Sequence, residues 1–253
     1  MTYSSPTEAR EKDSGTGPFG SLDWRDLVRN VFSLSLGTGI AQALMAVSFL
    51  LMSRHLGAVK LGQFASSFSV AGLSAILFNW GLDTWLLRSG SAEPNEMGTL
   101  LGNALIIKLG IGIPWLAALV FLLPRLRPDT FSLSLILISA LAVWTEGLFS
   151  LLLVAFKTLL RNTTTGLLLV ASRGGILLST LILTGMNVQQ TTAFAWTRFG
   201  VGMLTLLVTA ACLSFRLKTG AWSAITKTWR EATPFALSDL FTSVYVQADT
   251  TIA

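Results

Sequence analysis

Four ionisable side chains stand inside long apolar stretches of this chain: Lys108, Glu146, Arg173 and Arg198. A charge within hydrocarbon costs several kcal/mol unless it faces protein or water, so these positions are where chemistry is to be sought. If the N-terminus is cytoplasmic, Lys108 lies about nine residues, or ~14 Å, from the cytoplasmic end of its span. Arg173 and Glu146 fall at similar depths, so the three can meet in one layer, while Arg198 falls in the outer half. One reading is a hydrated cationic cavity that binds an anionic substrate through Lys108, Arg173 and Arg198. The other is a buried Glu146–Arg173 pair that only fixes two helices. Lys108 and Arg198 have no obvious acidic partner, which favours the cavity for them, although Lys108 is long enough to snorkel. Asp83 and Arg88, near the end of the second span, read as an ordinary interfacial pair. Asp249 suits either ion coupling or a pair with a helix outside this chain.

The elements that must position these charges are apolar helices. Val31–Met52 is 22 residues long without a charge, enough to cover the ~30 Å of bilayer hydrocarbon. Phe64–Leu87 is nearly as apolar until Asp83, and the polar turn Ser53–Gln63 lies between the two. Neither has the polar stripe a water-soluble helix needs, so together they read as a transmembrane hairpin. Further spans are expected at about Thr99–Leu123, Phe131–Ala155, Gly166–Gly185 and Thr191–Phe215, with a seventh opening at Pro234. Gly110, Gly112 and Pro114 thin and kink the third span. The expected fold class is therefore an all-α integral membrane protein, a six-helix transmembrane bundle plus the start of a seventh helix. Its parts are a flexible cytoplasmic tail over 1–30, a six-helix lobe over 31–215, a cytoplasmic link over 216–233 and the seventh helix over 234–253. The first span starts too late and runs too long to be a secretory signal peptide.

Composition agrees and excludes several classes. Hydrophobic residues make up 52% of the 253 and charged residues only 12%, about half the charge of a soluble domain; mean hydropathy is +0.64. Cys212 is the single cysteine and His55 the single histidine. An internal disulfide, a multi-cysteine or multi-histidine metal site and a histidine-based triad have no basis. No Walker-type glycine loop precedes a Lys-Ser/Thr pair, which argues against ATP-driven transport, and Trp115 stands where a dinucleotide fingerprint needs its third glycine. No cofactor and no nucleic-acid partner are expected.

The hairpin link also carries a resemblance. Arg54-His55-Leu56-Gly57 followed by Leu61-Gly62-Gln63-Phe64 is similar to the corresponding link of polysaccharide flippases in the multidrug/oligosaccharidyl-lipid/polysaccharide exporter superfamily. Gly81-Leu82-Asp83 with Arg88 resembles that family's second-helix end, and Ala232–Leu237 through Gln247-Ala248-Asp249 its seventh-helix opening. The resemblance implies two six-helix lobes that rock about a central cavity, of which this chain supplies the first and the start of the second. It implies no enzyme, but a flippase for an undecaprenyl-pyrophosphate-linked oligosaccharide in the inner membrane, serving polysaccharide, lipopolysaccharide or O-antigen biosynthesis. Its partners would be the lipid-linked oligosaccharide, membrane lipids and the missing second lobe. A lipid II flippase, a drug–cation antiporter and a non-transporting membrane assembly subunit remain as alternatives; the antiporter would want an acidic cavity, and the bias here is basic.

The distribution of Lys and Arg sets the expected orientation. With the N-terminus inside, Arg10, Lys12, Arg25, Arg29, Arg88, Lys157, Arg161, Arg216, Lys218, Lys227 and Arg230 face the cytoplasm, eleven against the four at Arg54, Lys60, Arg125 and Arg127. Single cysteines placed at Ser91, Leu160 and Ser223, with Cys212 removed, should then resist a membrane-impermeant thiol reagent in intact cells. A cysteine at Val188 should react. The opposite labelling pattern inverts the topology.

Overall fold

The computed structural model describes residues 24–126, 132–213, 217–220 and 222–252, and within these the side chains of 24, 26, 27, 123, 124, 126 and 243–252 lie outside the described residues. Among the described residues the chain is helical: α1 (Trp24–Asn79), α2 (Leu82–Ala92), a short 3-10 helix (Pro94–Glu96), α3 (Met97–Leu126), α4 (Leu133–Thr158), α5 (Asn162–Gly185), α6 (Thr191–Ala211) and α7 (Trp222–Ile252). Five of these are long and apolar enough to cross a membrane: α1, α3, α4, α5 and α6. Large apolar side chains such as Phe32, Ile113, Phe121, Leu167 and Leu204 are exposed on their outer faces. That is the arrangement lipid favours over water.

The long α1 is two helices joined at Gly57, whose φ of 75° and ψ of 169° are not helical. Side-chain contacts show that the two halves run in opposite directions. Residues 24–56 run parallel to α5: Gly37 meets Gly166, Ser48 bonds Thr180 at 2.9 Å, and His55 Nε2 bonds the Val188 carbonyl at 3.0 Å. Residues 58–79 run parallel to α4: Phe64 clusters with Leu135 and Ile138, and Phe78 packs on Gly147. Since α4 and α5 are joined by three residues and meet again at Glu146 and Arg173, they are antiparallel, and so are the halves of α1.

Helix α4 is the post of the bundle. Apart from the line of Glu146, Ser150 and Lys157 it is apolar, and 67% of its most apolar stretch is buried, against 17–22% in the other four candidate spans. A helix so largely apolar is stable when neighbours cover most of its sides. Here α1, α2, α3 and α6 do so: Leu151, Leu152 and Ala155 pack with Leu82, Leu86 and Leu101, while Ala140 packs with Phe78 and Trp115.

Several boundaries differ from those the sequence suggests. The second span does not run through to Leu87: it stops at Asn79, Trp80 and Gly81 take left-handed φ values of 45° and 63°, and α2 starts afresh at Leu82. Glycine is required at this break, because a Cβ on Gly81 would lie 2.4 Å from the Ala236 nitrogen of α7. Helix α7 begins at Trp222, not at Pro234, so the 216–233 link is largely helical and Pro234 lies inside the helix. Proline there removes one backbone hydrogen bond. α3 continues through Pro114 to Leu126, and α1 takes in 24–30 of the expected tail; residues 1–23 lie outside the described residues.

The α1–α5 seam depends on glycine, since a Cβ on Gly37 would lie 2.6 Å from Gly166 Cα. Gly37→Ala should therefore destabilise the protein by about 1–3 kcal/mol through overpacking. Gly39→Ala, with nothing within 4 Å, should be neutral or stabilising. Thermal unfolding in detergent micelles checks the contrast, and equal melting of the two variants refutes the close seam.

Candidate functional site

Of the charged residues in the spans, Glu146, Arg173 and Arg198 line one cavity of about 410 Å³ between α1, α2, α4, α5 and α6, with Asp83 and Lys157 beside them. Each arrives by a simple local cause. Asp83 is the second residue of α2, so the break at Trp80-Gly81 places a new helix N-terminus, with its partial positive charge, beside an acid in the middle of the bundle. Glu146 and Ser150 are one helical turn apart on the same face of α4, about 6 Å. Lys157 follows two further turns along. Arg173 comes from α5 and Arg198 from α6.

Two ionic clusters result. In the first, Glu146 sits between the arginines: Arg173 Nη2 donates to Oε1, and Arg198 Nη2 lies 3.7 Å from Oε2. Each carboxylate oxygen thus faces a different guanidinium. Arg198 also stacks 4.6 Å above the Phe68 ring. Its buried Nε has no hydrogen-bond partner among the described residues. In the second cluster Lys108 Nζ donates to Asp83 Oδ1 at 2.9 Å and Ser150 Oγ to Oδ2 at 2.8 Å. The Lys108 side chain is 0% exposed and Asp83 28%. The remaining cavity wall includes Phe68, Phe78, Asn79, Phe149 and Leu169.

This is a half-apolar chamber whose polar side presents three cations, Lys157, Arg173 and Arg198, against Asp83 and Glu146. Asp83 is already neutralised from behind by Lys108. Such a wall can hold an anion with several oxygens, because guanidinium forks match phosphate geometry. Among the described residues no three His, Cys, Asp or Glu side chains come together to hold a metal.

The family follows from comparison with known proteins. A family model described as polysaccharide biosynthesis protein matches residues 27–253. The chain belongs to the polysaccharide biosynthesis protein family. No curated protein matches it. Solved structures share the fold. An outward-facing multidrug resistance MATE family transporter of the MOP superfamily is 17% identical with a TM-score of 0.67 over 87% of this chain. A MOP superfamily transporter from Pyrococcus furiosus, whose binding pocket is of reverse polarity, is 16% identical with a TM-score of 0.63, also over 87%. A MATE transporter in complex with Br-NRF is 16% identical with a TM-score of 0.65 over 87%. The chain spans 53–55% of the length of these three, about half.

Within this chain the residues expected from the sequence divide. Glu146, Arg173 and Arg198 do meet, and both arginines line the cavity. Arg198 has an acidic partner after all. A Cβ on Gly202 would lie 3.0 Å from Thr145 Oγ1, so Arg198 lies one turn nearer the start of α6 and its long side chain reaches back to Glu146. Lys108 does not line the cavity but lies behind it, paired with Asp83, so its expected role as a free binding cation is corrected. Arg88 is not the partner of Asp83; it stands over the Phe235 ring of α7 at 5.9 Å. One sequence clue did exist: Asp83 and Lys108 lie at nearly equal offsets either side of the turn at Pro94, as partners in an antiparallel pair must. Lys157, Ser150 and Asn79 were missed as cavity residues, Lys157 because it falls in what reads as a loop. The side chain of Asp249 lies outside the described residues.

A buried charge that loses its partner costs about 3–5 kcal/mol, whereas a neutral pair of similar size is tolerated. Asp83→Asn should accordingly lower the melting temperature sharply by stranding Lys108, and adding Lys108→Met should recover most of the loss. Additive losses in the double variant, read by thermal unfolding, would show that the two side chains are not coupled.

Proposed function

We propose that this protein carries one wall of a transporter that moves a lipid-diphosphate-linked oligosaccharide across the inner membrane, with the N-terminus in the cytoplasm. The observation that carries the reading is the pair Arg173 and Arg198, from adjacent helices, both lining one cavity. A diphosphate is the part of such a substrate that needs compensating charge inside the membrane, and two guanidinium groups supply it. The apolar wall formed by Phe68, Phe78, Phe149 and Leu169 can lie against sugar faces or an isoprenoid chain. Membership of the polysaccharide biosynthesis family and the MOP-type fold support the same reading. Since the chain spans about half of the solved relatives, a facing wall would come from the other half of such a transporter. The work required is positioning and movement; no bond in the substrate is broken.

Lys157, two turns along α4 from Ser150, lies where a cytoplasmic substrate would enter. It would meet the diphosphate first, and Arg173 and Arg198 would hold it deeper in.

The test is transport in proteoliposomes containing the whole natural protein, offered either a fluorescent lipid-diphosphate oligosaccharide or a cationic dye. The sugar lipid should move and the dye should not. Arg173→Gln together with Arg198→Gln should reduce transport at least about tenfold, the equivalent of one lost charge-assisted contact of ~1.4 kcal/mol. Dye movement would make the protein a cation exporter, and movement of neither would leave it an assembly component.

A further inference from the structure

A basic corner stands on the lipid side of the bundle, apart from the cavity. The seam between the first half of α1 and α5 is joined near its start by Thr163 Oγ1, which donates to Ser33 Oγ at 3.3 Å, and by the contact of Gly37 with Gly166. Arg29 and Arg25 precede Ser33 on α1 by one and two turns, ~6 and ~12 Å. Arg161 is the N-cap residue of α5, two residues before Thr163, so it meets α1 at about the level of Arg29. All three arginines are exposed. Each also has a contact within the fold. Asp26, between the two on α1, offsets one of the three charges and leaves two.

Helix geometry continues the corner into the bilayer. At about 3.6 residues per turn, Arg25, Arg29, Phe32, Leu36 and Ile40 lie ~60–140° round α1 from Gly37, on the other flank from buried Ala41, Ser48 and Met52. On α5, Leu167, Ala171 and Leu178 lie ~100–140° round from Gly166, on the other flank from buried Ser172, Ile176 and Thr180. Both outer flanks are exposed and face lipid. Near the arginines the seam between them carries Ser33, Gly37, Thr163 and Gly166, none of them bulky, so two apolar stripes border a shallow furrow. We propose that this furrow binds an anionic phospholipid of the surrounding bilayer, with its phosphate against the three arginines and its acyl chains along the stripes. Charge complementarity selects this occupant. Guanidinium forks match phosphate oxygens, and basic recesses between membrane helices take anionic headgroups. A zwitterionic lipid offers the same chains but brings an ammonium group to the arginines, and a soluble anion has no chains to lay down. Leu204 and Leu207 on α6 are exposed to lipid as well, but the last turn of that helix has no basic residue. The site is separate from the cavity and stands whatever the cavity carries.

The experiment is photocrosslinking of the whole natural protein in phosphatidylcholine vesicles. These are doped with phosphatidylglycerol or, in parallel, phosphatidylcholine carrying a photoreactive acyl chain, and the labelled peptides are mapped. Phosphatidylglycerol should label residues 32–40 and 167–178 at least about fivefold more than phosphatidylcholine does, the effect of one arginine near an anionic surface. Labelling of residues 204–208 should not distinguish the two lipids. The combined variant Arg25→Gln, Arg29→Gln and Arg161→Gln should lose the preference at the furrow. Equal labelling by both lipids in the wild type overturns the proposal without any variant having to fold. A preference of the same size beside Lys227 and Arg230 of α7 overturns it too, because it would show only a general attraction to basic residues. A preference that survives in the triple variant rejects the arginines as its source, and the site with them.

Discussion

The cost of an unpaired charge in a medium that cannot solvate it governs how this bundle is assembled. Lys108 is buried without any exposure, and it is tolerated because Asp83 is 2.9 Å away. Glu146, Arg173 and Arg198 are solved as a set of three, with one acid shared between two bases. Water would screen such pairs and make them nearly worthless; in a membrane bundle they decide which helix faces which. The helix positions follow from these pairs: α2 against α3, and α5 and α6 against α4. Apolar side chains that pack equally well against lipid or protein could not specify those choices alone.

Close packing supplies the rest. Gly37 and Gly166 let α1 and α5 touch backbone to backbone, and Gly81 lets the join between α1 and α2 sit against α7. The stack of Trp80 on Trp229, with ring centroids 4.7 Å apart, and the buried Ala232 anchor α7 at the same level. The break at Trp80-Gly81 thus joins packing to chemistry. The residues that yield space to α7 are the ones that start α2 and set Asp83 before Lys108.

Much of the fold was legible in the sequence because lipid leaves a simple trace. Long runs without a polar stripe gave α3, α4, α5 and α6 within a few residues, and Gly57 in a polar stretch marked the turn of the α1 hairpin. What could not be read were the features set by a distant partner. Nothing in Trp80 itself marks it as left-handed, and the approach of Gly81 to α7 beside it arises only in the folded bundle. Pro234 looks like a helix start because proline suits a first turn, yet packing of Thr228 and Ala232 extends the helix back to Trp222. The Glu146–Arg173 contact was legible because the short α4–α5 link gives both the same depth. Arg198 escaped because α4 and α6 are not consecutive, and depth alone does not say which helices touch.

The order of the paired residues along the chain bears on how the protein is made. Asp83 precedes Lys108, and Glu146 precedes both Arg173 and Arg198. Chains emerge from the ribosome N-terminus first, at about 5–20 residues per second. Every cation of these clusters therefore reaches the membrane after its carboxylate partner, and none has to wait there for a segment still to be synthesised. A lone Lys or Arg at a helix centre carries an insertion penalty of about 2.5–3.5 kcal/mol. With the acid already in place, α3, α5 and α6 each enter beside a ready counter-charge, and the same contacts that line the cavity ease the chain's delivery into the bilayer.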